Sequence, residues 1–214
     1  MIITVVGNIF SDKAKVAQDI SRCTDGQFQR LKMYYTGTNA PDKNHMKMSM
    51  SEYEKLNKDD VFYTATDTYH EKYVALKSQF TENEDSVLVV DDPRCLENIE
   101  SLGIPYSVVF VDCSETAIMN RALMTRENQR QVKLRLERLK SRMKKLDKSS
   151  EYSLYLNTSS MSNNSRYAVV SVYCGKIDTW RFHWQEGKSL RMPTIAETVG
   201  VEWTRGDNAM FTRI

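Results

Sequence analysis

Eight residues near the start of the chain, Gly7-Asn8-Ile9-Phe10-Ser11-Asp12-Lys13-Ala14, hold most of a phosphate-binding loop. The pattern G-x-x-x-x-G-K-[ST] cradles phosphates with backbone amides, neutralises them with its lysine and offers its last hydroxyl to magnesium. Gly7 and Lys13 stand in register with that pattern, and Asn8 and Ser11 lie between them. Asp12 takes the place of the second glycine and Ala14 the place of the hydroxyl. A carboxylate beside a triphosphate repels it by on the order of 1 kcal/mol or more, depending on burial. The missing hydroxyl removes a direct metal ligand, which water or Ser11 would have to replace. Lys13 still leaves an anion site.

Two further groups bear on phosphate chemistry. Asp91 and Asp92 end the apolar run Ser86–Val90 just before Pro93, so two carboxylates sit at a strand end where magnesium or a nucleotide is met. Between Arg121 and Lys148 eleven basic residues face only three acids, Glu127, Glu137 and Asp147. An excess of that size attracts the phosphates of a nucleotide or a nucleic acid; the alternative is a solvated helix face. The four cysteines form no Cys-x-x-Cys pair and the three histidines are dispersed, which gives no zinc spacing and no disulfide framework. Cys23, Cys95 and Cys113 read as buried thiols in a reducing compartment. No apolar run is long enough to span a membrane, and MIITVVGN lacks the basic and long apolar parts of a signal peptide. The expected location is the cytoplasm, with no membrane partner.

The elements that must position these residues follow the hydrophobic pattern. A chain of 214 residues, 41% hydrophobic and 27% charged, can bury the core of a globular domain. Ile2–Val6 is a continuous apolar run closed by Gly7, as a buried parallel strand entering a turn would be. Ala14, Val16, Ala17 and Ile20 then suit a helix capped by Ser11 or Asp12. Leu31–Thr36 and Val61–Thr66 read as strands, with a helix start at Ser51 whose capping box is closed by Glu54. Ser86–Asp92 and Tyr106–Asp112 are buried strands joined through a short helix bearing Leu96 and Ile99, which argues for a parallel sheet covered on both faces. Val132, Leu136, Leu139, Met143 and Leu146 lay an apolar stripe along a basic helix, and Tyr152–Leu156 is a last core strand. After the polar hinge Ser159–Ser165, the runs 167–173, 179–184 and 201–204 read as strands of a small antiparallel β appendage holding Trp180, Trp184 and Trp203.

From about Ile2 to Asn157 this order of elements resembles the guanylate kinase family, which includes enzymes and inactive binding modules. Val87–Pro93 is similar to the family's central strand with its acidic end, and Val108–Val111 to the strand after it. Arg121-Ala122-Leu123-Met124-Thr125-Arg126, with Arg135-Leu136 nine residues on, is similar to the arginine-bearing lid, and Tyr152–Asn157 to the closing strand. The resemblance implies an α/β fold of P-loop kinase type, a parallel sheet flanked by helices, over residues 1–158. It places a monophosphate-binding insert at about 33–80 and a lid at about 121–135, with the β appendage at 166–214. It assigns Lys13, Arg126 and Arg135 to catalysis, since lid guanidinium groups can follow charge over the oxygens of a transferring phosphoryl. It assigns Gly7, Asn8, Ser11, Tyr73, Thr64, Asp91, Asp92 and Arg121 to nucleotide binding, and Asp91 to the metal.

The insert departs from the family. Where two arginines clamp the monophosphate, Tyr35-Thr36-Gly37-Thr38-Asn39-Ala40 has none, and Thr64 stands where a glutamate would read guanine. The expectation is a nucleoside or deoxynucleoside monophosphate kinase-like protein that uses ATP and Mg2+ on a nucleotide other than GMP. The alternative is an inactive kinase-fold module. Its partner would be a protein, met through the aromatic appendage, or a nucleic acid, met through the basic helix 127–148.

Overall fold

A computed structural model describes residues 1–38, 44–67, 70–80, 84–149, 152–183 and 189–193. Five parallel strands form the central sheet in the order β2-β7-β1-β8-β9: β1 (Ile2–Gly7), β2 (Gln29–Arg30), β7 (Ser86–Val90), β8 (Tyr106–Asp112) and β9 (Leu154–Asn157). β1 lies at the centre, every residue of it buried, because both faces of the sheet are covered. Alternate side chains serve the two faces. Ile3, Val5, Val87, Val89, Val109 and Val111 meet α1 (Lys13–Cys23) and α5 (Asn163–His183) on one side. Ile2, Val6, Leu88, Val90, Val108 and Phe110 point to the other. There they meet a 3-10 helix (Pro93–Leu102), the 21-residue α4 (Gln129–Ser149) and part of a second sheet.

That second sheet has four strands in the order β4-β3-β6-β5, built from β3 (Met33–Tyr35), β4 (His45–Lys47), β5 (Val61–Thr66) and β6 (Lys72–Leu76). A short helix, α2 (Met50–Glu54), lies between β4 and β5. Its cap is Ser49 with Glu52 closing the capping box, two residues before the Ser51/Glu54 pair expected. Both pairs satisfy the S-x-x-E spacing, and the buried Met48 beside Ser49 anchors the earlier one. The α3 helix (Glu115–Met124) and the start of α4 enclose a small core of Ile118, Ala122 and Val132, into which the loop residue Ile9 is inserted.

The C-terminal stretch corrects the sequence reading. Residues 167–173 and 179–183, expected as strands, belong to the single helix α5. Arg166, Val169, Val170, Tyr173, Cys174 and Ile177 are its buried residues, a stripe at helical spacing that packs on α1. Tyrosine, valine and isoleucine favour strands, yet burial on the face of a sheet outweighs that preference. The segment 189–193 also joins the core. Tyr106 N–H donates to the Leu190 carbonyl and Met192 N–H to that of Tyr106, both at 2.8 Å. Trp180 packs half-buried against this core; Trp184, Trp203 and the strand expected at 201–204 lie outside the described residues.

Candidate functional site

The expected loop lies where the first parallel strand meets the first helix, at the carboxyl end of the sheet, the edge at which open α/β sheets bind ligands. Gly7 is required by closeness. A Cβ there would collide with the Val111 carbonyl and lie 2.6 Å from Ser11 Oγ. Phe10 and Asp12 both adopt left-handed backbone, with φ of 57° and 65°. Asp12 thus takes the conformation a glycine would supply, and aspartate is among the few residues that visit it routinely. Asp12 precedes α1 but its side chain does not cap the helix, so the first-turn amides keep no side-chain acceptor.

The Asp12 carboxylate is turned onto cations instead: Lys15 at 2.9 Å and Arg121 at 3.3 Å. Arg121 holds the loop from behind. It donates to the Phe10 carbonyl at 2.7 Å and to the Thr158 carbonyl at 2.5 Å, and it reaches Cys113 Sγ at 3.4 Å. Thr158 in turn donates its hydroxyl to the Ser11 carbonyl at 2.8 Å. Residues from β1, α3 and the end of β9 therefore fix the curl of the loop. Arg121, expected on a nucleotide, is engaged with the backbone.

Lys13 Nζ donates to the Asn8 carbonyl at 3.0 Å and pairs with Asp91 at 2.5 Å. Arg135, from the second turn of α4, pairs with the other oxygen of the same carboxylate at 2.8 Å. Burial alone would push the Asp91 carboxyl up, but Lys13 and Arg135 outweigh it and hold it below the usual carboxylate range. Tyr73 is close enough for its phenol to feel Arg135 and Asp91, and its ring lies 4.7 Å from that of Tyr35 and 5.2 Å from that of His45. Burial pushes the Tyr73 phenol up, so it stays protonated as a donor. Lys13, Asp91, Arg135 and Tyr73 thus come together from β1–α1, β7, α4 and the second sheet.

The remaining expected residues are dispersed. Asp92 is 4% exposed and caps the 3-10 helix, its carboxylate held by Arg94 at 2.8 Å and by Arg142. Arg126 lies exposed in the turn after α3 with φ of 59°, and its side chain has no hydrogen bond or ion pair among the described residues. Thr64 is half-buried in mid-β5, opposite Val74. At the mouth of the second sheet the acids Asp67 and Glu71 accept the hydroxyls of Tyr35 at 3.2 Å and Thr36 at 2.8 Å. Reasoning from sequence missed Asp67 and Glu71, because their partners come from strands 32 and 35 residues earlier.

The loop fits a polyphosphate. It combines an uncapped helix start, a lysine and a neighbouring arginine with a buried donor, the Ser11 hydroxyl, that lacks a partner among the described residues. For magnesium the loop offers less: Asp91 already serves two cations and Ala14 brings no oxygen, which leaves the Ser11 hydroxyl and water as the ligands it could supply.

No protein-family model matches the sequence, and comparison with curated proteins finds no match. Among solved structures, the chain is similar to a guanylate kinase from Anaplasma phagocytophilum, with a TM-score of 0.51 at 10% identity over 92% of this chain and 91% of that one. It also aligns with an uncharacterized protein from Eubacterium ventriosum ATCC 27560 at a TM-score of 0.42 and 12% identity, over 82% of this chain and 98% of the other. The first likeness agrees with the observed α/β architecture, a five-stranded parallel sheet flanked by helices. Among the described residues, no helix is long and apolar enough to cross a membrane.

Proposed function

We propose that the chain binds the phosphates of ATP on the Gly7–Ala14 loop and transfers the terminal phosphoryl group to a nucleotide other than GMP. The observation that carries this reading is Asp12. Its backbone takes the glycine conformation while its charge is absorbed by Arg121 and Lys15, so the substitution that would close the loop leaves its curl intact. Lys13 and Arg135 then meet the anion, with Arg135 placed to stabilise charge on the transferring group. Arg126, exposed in the turn after α3, is the second lid arginine of this reading. The phosphates of ATP suit these cations.

The second sheet supports an acceptor other than GMP. Asp67 and Glu71 stand beside Tyr35 and Thr36, where a guanylate kinase would carry its clamp, and Thr64 offers no carboxylate to a guanine edge. A coupled assay of ATP with each nucleoside and deoxynucleoside monophosphate tests the reading. Turnover with one of them, none with GMP, and loss of that turnover in Lys13→Ala are expected. ATP binding without turnover on any acceptor would favour the second reading, an inert kinase-fold module, for which the alanine at position 14, in place of a metal-binding hydroxyl, speaks. The absence of both ATP binding and turnover would refute the assignment of the loop.

A further inference from the structure

The 3-10 helix and α4 do not close fully over the sheet. Between them is an open cavity of about 570 Å³. It reaches Tyr106, the first residue of β8, five residues and roughly 16 Å along the strand from the Val111 carbonyl that packs on Gly7. This is another place from the phosphate loop. Leu96, Val108 and Leu146, with Tyr106, give the cavity apolar walls, and Glu97 and Glu100 bring carboxylates to it. Glu100 accepts the Tyr106 hydroxyl with one oxygen at 3.0 Å.

Four cations also line it. Arg94 and Arg142 are committed to Asp92, but Lys145 and Arg191 have no counter-ion among the described residues. Lys145 at the same time belongs to a shallow concavity with Ser141, Lys144 and Lys148, so positive charge continues from the cavity along α4. Lys144 and Lys148 are one turn apart, about 6 Å along the helix axis. Of the α4 acids, Glu137 is paired with Lys140, and Asp147 is half-buried with a partner of its own.

We propose that this groove binds single-stranded nucleic acid, its phosphates following Arg191, Lys145, Lys144 and Lys148 and one unstacked base entering the cavity. A row of cations matches a row of phosphates better than a single anion. Apolar walls with carboxylates at the rim suit a base, which has flat apolar faces and N–H donors on its edge. A duplex keeps its bases stacked and cannot supply one. An acidic peptide has the charge but no planar group, and Glu97 and Glu100 oppose it.

Fluorescence anisotropy with a short labelled single-stranded oligonucleotide tests this. Binding is expected to weaken with salt by about 0.7 in log K per log unit for each phosphate held, about 2.8 for the four cations. The double variants Lys145→Glu/Arg191→Glu and Lys144→Glu/Lys148→Glu should each bind about tenfold or more weakly, with unchanged melting midpoints. Arg130→Glu/Lys133→Glu, on the same helix but off the groove, should stay within about twofold. Equal losses in all three variants would mean diffuse charge and overturn the proposal. So would a duplex binding as tightly as the single strand, poly-glutamate displacing the oligonucleotide as well as unlabelled strand does, or no binding at low salt.

Discussion

Arg121→Ala separates two roles that one arginine cannot fill at once. In the structure its guanidinium donates to the Phe10 and Thr158 carbonyls at 2.7 and 2.5 Å and faces the Asp12 carboxylate at 3.3 Å, with its side chain 24% exposed. Hydrogen bonds from a charged donor contribute roughly 1.5–3 kcal/mol each, and leaving their acceptors unpaired adds the desolvation they no longer recover. Water reaching the vacated space offsets part of this, which leaves an expected loss of about 3 kcal/mol. For a chain of this size that lowers the melting midpoint by about 6–12 °C. Chemical denaturation measures the loss directly, and titration with ATP shows whether loop function follows it. Arg121→Lys keeps the charge without the planar fork and should recover less than half of the loss. If Arg121→Ala stays within about 0.5 kcal/mol of the parent while ATP affinity collapses, the guanidinium acts on the nucleotide and the brace is wrong.

Other substitutions probe the same site from different sides. Asp12→Gly removes a left-handed aspartate and a negative charge; ATP should bind about fivefold more tightly by calorimetry, with stability within about 1 kcal/mol because backbone relief and the lost Arg121 pair offset each other. For Asp91, burial raises the carboxyl but Lys13 and Arg135 lower it further. A depressed carboxyl contributes stability present above its unfolded value of 3.8 and lost as pH falls through the lower folded value, so Asp91→Asn should flatten the acid limb of a pH–stability profile below about pH 4. Tyr173→Phe leaves the buried Ser107 hydroxyl without the partner it has at 2.7 Å, and denaturation should show a loss of about 1–2 kcal/mol.

The legible parts of the fold are those whose burial is two-sided. β1, β7 and β8 read correctly because both faces are covered and the chain there is apolar without interruption. α5 was readable in principle: its buried stripe follows helical spacing. Its valines, tyrosines and Gly175 instead suggested strand and turn, and only the surface offered by α1 decides between the two. Around the loop, the positions of Lys13 and Asp91 were legible because each follows a recognisable strand, and that of Arg135 because it lies on the striped helix α4. The brace was not. Its acceptors are backbone carbonyls 111 and 37 residues from Arg121, and a carbonyl leaves no mark in a sequence.

Asp12 and Ala14, on either side of Lys13, both depart from one loop pattern, yet the structure treats them differently. The pattern's glycine at position 12 would supply backbone freedom, and that requirement is met by a residue that tolerates the left-handed region and by two cations that take up its charge. The pattern's hydroxyl at position 14 would offer an oxygen to a metal, and Ala14 cannot; the oxygen left in the loop is the buried Ser11 hydroxyl, which has no partner among the described residues. The shape of the loop is therefore kept, while its direct metal ligand is displaced to Ser11 or water. The cations that remain are shared with Asp91, so an arriving phosphate must take over the role that carboxylate now fills for Lys13 and Arg135. On the proposed function, ATP binding at this site would be an exchange of counter-ions, its strength set by how readily Asp91 lets go.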